Sequence, residues 1–231
     1  MTKRVLITGV TSGIGKAMAQ RALEQGSFVS GIGRDFAKLD VELASKLTLD
    51  LGRLDEVAKA AKQMAKQPAF DTLILNAGYG HFGAIEQFSA EQIEYLINTQ
   101  VSAQLILLSA LLPAMKRRGQ GDVVIIGSEA ALQGAEQGSV YCAAKFALRG
   151  MAQSLRAECA RSGVRVILIN PGPVRTPFFD DLSFAPAEGE AYALDPKDVA
   201  RTVFDTLALP ATAVVDELQI QPLKRVFRKK P

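Results

Sequence analysis

The sequence is poor in the residues that build metal sites and disulfides. Its 231 residues include no tryptophan, one histidine and two cysteines. Cys142 and Cys159 match no metal-ligand spacing. They lie 17 positions apart in one helical pattern, which at ~1.5 Å per residue is about 25 Å and too far for a disulfide. We therefore expect no metal site, reduced thiols and a reducing compartment.

A long apolar run is also missing. The longest run, residues 105–115, is interrupted by Ser109 and Pro113, whereas a membrane-spanning helix needs about 20 apolar residues. The first residues carry no signal-peptide pattern and enter a strand-like run at Arg4. These features predict a cytoplasmic protein that does not contact a membrane.

Neither sign of charge dominates the sequence. Lysine and arginine number 27, aspartate and glutamate 24, and the net charge is +3. Five of the positive charges fall in residues 224–230, and without them 22 basic and 24 acidic residues remain. A nucleic-acid surface is therefore not expected. We expect the basic tail, residues 224–231, to be a solvated terminus rather than a site for phosphate or a membrane surface.

Short apolar runs alternate with longer helical patterns along the whole chain. Runs such as residues 123–126 are apolar without alternation, as in strands that helices cover on both faces. Strands are predicted at 5–8, 28–33, 46–50, 72–76, 122–128, 164–170 and 214–221, and helices near 13–25, 53–67, 90–118, 139–162 and 196–208. This pattern predicts an α/β fold, namely a Rossmann-type, doubly wound, mainly parallel seven-stranded sheet flanked by helices, as a single domain over residues 1–223.

A glycine-rich turn joins the first predicted strand to the first helix. It reads Thr8-Gly9-Val10-Thr11-Ser12-Gly13-Ile14-Gly15. Glycines allow a tight turn and let a pyrophosphate approach the backbone, and the following helix offers free N–H groups to the phosphate. The spacing is G-x-x-x-G-x-G instead of the common G-x-G-x-x-G, so the turn alone is weak evidence for a dinucleotide site.

Four further motifs follow the carboxyl ends of predicted strands, where such sheets bind their ligands. They are Asn76-Ala77-Gly78, Ser128, Tyr141-Cys142-Ala143-Ala144-Lys145, and the run from Pro171 to Thr176. Tyr141 and Lys145 lie four residues apart and share one helix face. We expect the nearby ammonium to lower the pKa of the phenol from about 10, so that Tyr141 can exchange a proton near neutral pH. Ser128 Oγ could hold a carbonyl or hydroxyl oxygen of the substrate.

Together these motifs resemble the short-chain dehydrogenase/reductase family, in the branch with a TGxxxGxG turn and a YxxxK pair. The resemblance extends from Arg4 to about Gln221. It implies an NAD(P)(H)-dependent oxidoreductase that transfers a hydride between nicotinamide and a carbonyl or alcohol substrate. Tyr141 would be the acid/base, Lys145 would also bind the nicotinamide ribose, and Ser128 would orient the substrate. The implied cofactor-binding residues are Gly9, Thr11, Ser12, Gly13, Ile14, Gly15, Arg34, Asp50, Leu51, Asn76, Ala77, Gly78, Tyr141, Lys145, Pro171, Gly172, Val174 and Thr176.

One position departs from the family pattern. The family usually has an asparagine in the helix after the fourth strand, which supports a proton relay to the Tyr–Lys pair. The corresponding position here is Gln100, with Asn98 two residues away and expected on a different helix face. We favour Gln100 as the relay residue, with a local shift that restores Asn98 as the alternative.

The end of the second predicted strand indicates which nicotinamide cofactor is used. In the family an acid at the Gly33 position binds the adenosine ribose and marks NAD preference. Here the position carries no acid, and Arg34 can grip a ribose 2′-phosphate in bidentate fashion. Asp35 instead resembles the first residue of the next helical turn. We expect NADP(H) to be preferred, with NAD(H) possible.

The sequence leaves the substrate unnamed. By resemblance, a small carbonyl or alcohol compound binds against residues 79–82, residues 129–137 and a mobile loop at about 177–195, and the helices at 90–118 and 139–162 form a homodimer or homotetramer. His81 is expected to be a solvated loop residue, with contact to the substrate as the alternative. Two other functions stay open: a non-catalytic dinucleotide sensor or scaffold on the same fold, and a nucleotide-sugar epimerase or dehydratase, which usually has another glycine spacing and a longer C-terminal region.

Overall fold

The computed structural model describes residues 2–230. Its strands are β1 (Arg4–Thr8), β2 (Phe28–Gly33), β3 (Ser45–Thr48), β4 (Thr72–Leu75), β5 (Gly121–Ile126), β6 (Val164–Pro171), β7 (Phe184–Pro186), β8 (Glu217–Ile220) and β9 (Phe227–Lys229). Its α-helices are α1 (Gly13–Glu24), α2 (Leu54–Met64), α3 (Ala90–Ile97), α4 (Ala103–Arg118), α5 (Ser139–Cys159) and α6 (Pro196–Leu207).

Seven strands form one parallel sheet in the order β3-β2-β1-β4-β5-β6-β8. The predicted Rossmann-type fold is confirmed, and all seven predicted strands are present. The last strand, β8, is shorter than the predicted range 214–221, since it begins at Glu217 and ends at Ile220. The chain reverses its direction of winding between β1 and β4, the point at which doubly wound sheets bind their ligands.

Helices cover both faces of the sheet, which explains the uniformly apolar strands. In β4, Leu73 and Leu75 belong to the core on the face of α2, α4 and α5, whereas Ile74 belongs to the core on the face of α1 and α6. All three side chains are at most 3% exposed. A strand in this position gains from an apolar side chain at every residue, so its sequence shows no alternation.

The predicted helix at 90–118 contains a π-helical turn, Asn98–Ser102, between α3 and α4. The start and end of this helical run follow local sequence signals. Ser89 and Gln92 form a reciprocal capping box at the start of α3, and α4 ends at Gly119 in the left-handed conformation, with φ +71°. A π turn widens the helix locally and is frequent at functional sites.

Contrary to the expectation from sequence, one helical run is long and apolar enough to cross a membrane by length and composition. It comprises the 29 residues Ala90–Arg118, and half of its most apolar window is buried inside this chain. Core helices of soluble proteins meet the same two criteria. Leu107 and Leu108, both at most 2% exposed, pack into the core beneath the sheet.

Both cysteines are unpaired and buried in α5. Within residues 2–230, no group of three or more His, Cys, Asp and Glu side chains could hold a metal ion.

Candidate active site

One cleft of about 1760 Å³ runs along the carboxyl edge of the sheet. It extends from the glycine turn after β1 to the C-terminal segment at Phe227. The structure brings together in its lining every site residue predicted from the sequence except Gly15 and Gln100, which lie behind the wall.

The glycine turn packs too tightly for side chains. A Cβ on Gly15 would lie 2.0 Å from Gly9 O, and Gly9 and Gly13 both have positive φ. Asn76 Nδ2 donates to Thr8 O at 3.0 Å and to Gly9 O at 3.2 Å, so its side chain holds the turn against β4. The sequence predicts cofactor contact for Asn76; its amide is engaged in holding the turn.

The first turn of α1 faces the cleft without a local counter-charge. Ser12, the N-cap residue, makes no side-chain capping hydrogen bond, and the first turn carries no acidic residue. The backbone N–H groups and the positive end of the helix dipole are therefore available to an anionic group in the cleft.

Next to this turn, the end of β2 presents one cation to the cleft. Arg34 is exposed and lines the cleft, while a Cβ on Gly33 would lie 2.5 Å from Thr11 Cγ2. The carboxylate of Asp35 accepts a hydrogen bond from Ala37 N at 2.8 Å, so it stabilises the turn that the sequence predicts for it. Residue 33, where the family pattern has an acid, is a glycine here and brings no carboxylate to the cleft.

Asp50, after β3, is held by a tyrosine that the sequence analysis missed. Its carboxylate accepts hydrogen bonds from Tyr95 Oη at 2.9 Å and from Gly52 N at 2.9 Å. Tyr95 comes from α3, and its ring lies over Gly52, where a Cβ would meet it at 2.1 Å. In the sequence, the only local signal for this contact is the glycine at position 52, which leaves room for an aromatic ring.

Ser128 follows β5 and is fixed by a chain of polar side chains that runs from the buried Asn170 to the partly exposed Glu217 and Arg149. Its backbone N–H donates to Asn170 Oδ1 at 3.2 Å, and Asn170 Nδ2 donates to Glu217 Oε1 at 2.8 Å. Glu217 forms an ion pair with Arg149 on α5, with a nitrogen–oxygen distance of 3.0 Å. Asn170 is completely buried. Three neighbouring elements, β6, β8 and α5, therefore position the residue that the sequence assigns to substrate binding.

Tyr141 and Lys145 lie on the first turns of α5, both buried, with Lys145 Nζ 5.5 Å from the centre of the Tyr141 ring. Burial raises the pKa of Tyr141 above its usual value, and the Ser128 hydroxyl opposes this with a smaller lowering effect. Burial also lowers the pKa of Lys145 to about 8. The expected lowering of the phenol pKa by the ammonium is not found in the free protein, because desolvation of the phenolate is the larger effect.

Aromatic rings cover Tyr141 on the substrate side. The ring of Phe82 lies 5.0 Å from that of Tyr141, and Phe178 lies 5.7 Å from it. The chain of contacts continues from Phe82 to Phe184 at 5.2 Å and from Phe184 to Phe227 at 5.6 Å. His81 is half-buried against Phe88, 4.7 Å away, rather than fully solvated.

The basic tail forms part of this wall, which the sequence analysis did not foresee. Its strand β9 pairs antiparallel with β7 of the substrate loop. Arg225 makes a bidentate contact with the Glu129 carboxylate at 3.0–3.1 Å, and Lys230 Nζ donates to the carbonyl groups of Phe179 and Asp180. The charges are largely exposed, as expected for a tail, but the segment is ordered by contacts with the loop. The sequence signal for this packing was Phe227, an apolar residue within the basic run.

The arrangement joins a glycine turn, a half-buried Ser128 beside the buried pair Tyr141 and Lys145, and the seven-stranded parallel sheet. A sequence model described as short chain dehydrogenase matches residues 3–185. The chain belongs to the short-chain dehydrogenase family. Family membership thus agrees with the resemblance that the motifs carry.

Three named enzymes are similar to this protein over nearly the whole chain. A sepiapterin reductase of Chlorobaculum tepidum is 29% identical, covering 94% of this chain and 95% of its own. An NADP-dependent 3-hydroxy acid dehydrogenase of Escherichia coli is 31% identical, covering 96% of each. The structure of an alcohol dehydrogenase from Thermococcus sibiricus, complexed with 5-hydroxy-NADP, has a TM-score of 0.86 and 26% identity and covers 98% of this chain and 99% of that chain.

In this short-chain dehydrogenase, Gln100 lies in the π turn and points behind the cleft wall. It is completely buried, its Nε2 donates to Tyr79 O at 3.0 Å, and its Oε1 has no partner among the described residues. A Cβ on Gly78 would lie 2.9 Å from that oxygen. Asn98 instead points outward and donates to Glu94 at 3.4 Å. Of the two side-chain amides considered for the proton relay, that of Gln100 lies next to the cleft wall at Gly78, and that of Asn98 does not.

Proposed function

We propose that this protein is an NADP(H)-dependent oxidoreductase that interconverts a carbonyl compound and its alcohol. The observation that carries the proposal is that Ser128, Tyr141 and Lys145 line the same cleft as the glycine turn. A dinucleotide held at the turn would therefore reach the proton-transferring side chains along one continuous channel.

The residues present fit the cofactor. Any side chain on Gly15 would collide with the turn, and the uncapped N-terminus of α1 offers N–H groups to a diphosphate. Gly9, Thr11, Ser12, Gly13 and Ile14 would hold the diphosphate, with Gly15 keeping the turn compact. The remaining contacts proposed for the cofactor are Asp50, Leu51, Asn76, Ala77, Gly78, Pro171, Gly172, Val174 and Thr176, all of which line the cleft.

Arg34 is the basis for proposing NADP(H) rather than NAD(H). Its guanidinium is exposed in the cleft, and the neighbouring Asp35 is engaged in a turn. A guanidinium pairs with a ribose phosphate through charge-assisted hydrogen bonds, whereas a carboxylate in this place would repel it. Two similar enzymes support the same preference: that of Escherichia coli is NADP-dependent, and that of Thermococcus sibiricus forms a complex with 5-hydroxy-NADP.

The protein's own side chains would handle the substrate oxygen and its proton. The bound cofactor supplies or accepts the hydride, so that carbonyl, NADPH and a proton are converted to alcohol and NADP⁺. Tyr141 Oη donates its proton to the carbonyl oxygen in reduction and accepts it in oxidation. Ser128 Oγ holds that oxygen by a hydrogen bond. Lys145, beside the ring, binds the nicotinamide ribose and favours the phenolate once water is excluded.

Gln100 is the residue that we propose for resupply of the proton. Its unpartnered Oε1 is an acceptor at the back of the wall, and an acceptor in this place suits a water that links the Tyr–Lys pair to solvent.

A homodimer or homotetramer is proposed as well. Leu105 on α4 and Phe146 on α5 are 47% and 43% exposed, on the two helices that the family resemblance assigns to subunit contacts. A single-subunit mass in light scattering would contradict it.

The test is NADPH consumption with a panel of ketones and aldehydes, and NADP⁺ reduction with alcohols. We expect Tyr141→Phe to lower kcat by about 100- to 10,000-fold, because the proton donor is lost while the ring is kept. Tyr192→Phe, in the outer part of the substrate loop, is the matched control and should keep full activity. Tight NADPH binding without turnover on a broad panel would favour the non-catalytic sensor, and equal activity of Tyr141→Phe and wild type would refute the mechanism.

A further inference from the structure

The substrate end of the cleft is apolar where it meets Tyr141. Phe82 and Phe178 contact the Tyr141 ring, and Phe184 and Phe227 extend the same cluster outward. All four phenylalanines line the cleft. A planar or apolar group beside the reacting carbonyl would be buried against these rings, since aromatic pairs gain from both area and ring geometry.

The charged groups at this end disfavour a negatively charged substrate. Glu136, Asp180 and Asp181 line the cleft, and Lys230, close by, donates to backbone carbonyl groups of the loop. Among the described residues, three cationic side chains line the cleft: Arg34, Lys145 and Arg225. Arg34 lies at the cofactor end, and Lys145 is buried beside Tyr141.

The third cation, Arg225, is neutralised by its neighbour. Its guanidinium binds both oxygens of the Glu129 carboxylate, which is 20% exposed and follows Ser128 directly. Glu129 thus occupies Nε and Nη2 of Arg225, the edge of the guanidinium that would otherwise form a bidentate pair with a substrate carboxylate or phosphate. The pair also ties the C-terminal segment to the residue next to Ser128, 96 positions away.

We infer that the site is specific for uncharged carbonyl compounds that carry an aromatic or bulky apolar group, and that Glu129, Arg225 and Phe227 determine this specificity. Glu129 and Arg225 close the site to anions by neutralising each other, while Phe227 supports the rings that receive the apolar group. The inference rests on the proposed function, because it concerns the substrate of the same Ser128–Tyr141 site.

Three ketones separate charge from shape: ethyl benzoylformate, benzoylformate and ethyl pyruvate. Ethyl benzoylformate and ethyl pyruvate are neutral α-keto esters, and benzoylformate is the negatively charged α-keto acid. Ethyl pyruvate lacks the phenyl ring that the other two compounds carry. We expect wild-type kcat/KM with NADPH to be at least about tenfold higher for ethyl benzoylformate than for either other compound.

Glu129→Gln tests the charge argument by gain of activity. It frees the Arg225 guanidinium, so kcat/KM for benzoylformate should rise about tenfold relative to its ethyl ester. Glu188→Gln is the matched control, because Glu188 pairs with Arg228 of β9 in the same C-terminal segment, lies outside the cleft and is 83% exposed. It should leave the ratio unchanged. An unchanged ratio in Glu129→Gln, or an equal change in both variants, would overturn the charge argument.

Phe227→Ala tests the ring argument. It should lower kcat/KM for ethyl benzoylformate several-fold and leave ethyl pyruvate within about twofold, whereas Val226→Ala, the neighbouring exposed residue, should change neither. Equal wild-type turnover of the three ketones would overturn the inference and leave the proposed function standing. No turnover of any carbonyl compound in the broader panel would overturn the proposed function itself.

Discussion

At the cofactor end the wall of the cleft is backbone, whereas at the substrate end it is made of side chains. The glycine turn leaves no room for a Cβ at Gly15, and the start of α1 presents N–H groups. The substrate end consists of phenylalanine rings and one ion pair, contributed by the segments after β4, β5 and β6 and by residues 225–227. A backbone wall suits a ligand that does not vary, and a side-chain wall can change its specificity by substitution alone.

The largest effect on cofactor binding is expected from adding a single methyl group to the glycine turn. Gly15→Ala places a Cβ 2.0 Å from Gly9 O, so the turn must open and lose its phosphate geometry. We expect NADPH affinity to fall about 100-fold, measured by cofactor fluorescence titration. The control is Gly150→Ala on α5, where a Cβ meets nothing within 4 Å. It should bind normally and be more stable by about 0.5–1 kcal/mol. Normal binding by Gly15→Ala would show that the turn is not the cofactor site.

At the cofactor end, the side chain of Arg34 is expected to determine the preference for NADPH over NADH. Arg34→Ala should raise KM for NADPH about 10- to 100-fold, because charge-assisted hydrogen bonds to a 2′-phosphate are lost, and leave KM for NADH almost unchanged. Lys38→Ala removes a nearby exposed charge outside the cleft and should leave both constants unchanged. Equal or better use of NADH by wild type would refute the NADP(H) assignment.

Between the two ends lies Lys145, where we predict an effect on stability rather than on cofactor binding. Burial lowers its pKa to about 8, so a protonated Lys145 costs folding free energy at neutral pH. The unfolded chain keeps this proton up to about pH 10.5, so the cost is complete below pH 8 and is relieved as the pH rises from 8 to 10.5. We expect cofactor-free Lys145→Met to be more stable than wild type by roughly 2–3 kcal/mol at pH 7 in urea unfolding.

This stability difference should shrink as the pH rises above 8. Lys62→Met, on the exposed face of α2, is the control and should show no such dependence. A constant difference between Lys145→Met and wild type from pH 7 to pH 10 would mean that Lys145 has an ordinary pKa in the folded protein.

The sequence predicted the backbone end well, because its determinants are local. The strands at β1, β4 and β5 are apolar on both faces, and the glycines and Asn76 follow them at fixed places. Capping by Ser89 and Asp195 can likewise be read from short windows.

The substrate end was not predictable in the same way, since its contacts join distant residues. Arg225 meets Glu129 across 96 positions, and β9 pairs with β7 through only three residues. The basic composition of the tail predicted its exposed charges but not the pairing of β9 with the substrate loop. The pKa of Tyr141 was also predicted in the wrong direction, because the i,i+4 spacing gives the place of Lys145 but not the burial of the phenol.

Transfer of deuterium to a ketone from NADPH that carries deuterium at both C4 positions of the nicotinamide tests the central claim most directly. Tyr141→Phe and wild type are compared in a single turnover with saturating labelled cofactor, and the alcohol is analysed by mass spectrometry. The account predicts one deuterium at the carbinol carbon in wild type, formed at least about 100-fold more slowly in Tyr141→Phe, with NADPH affinities of the two proteins within about threefold. Equal rates in the two proteins, or a product without deuterium, would contradict it.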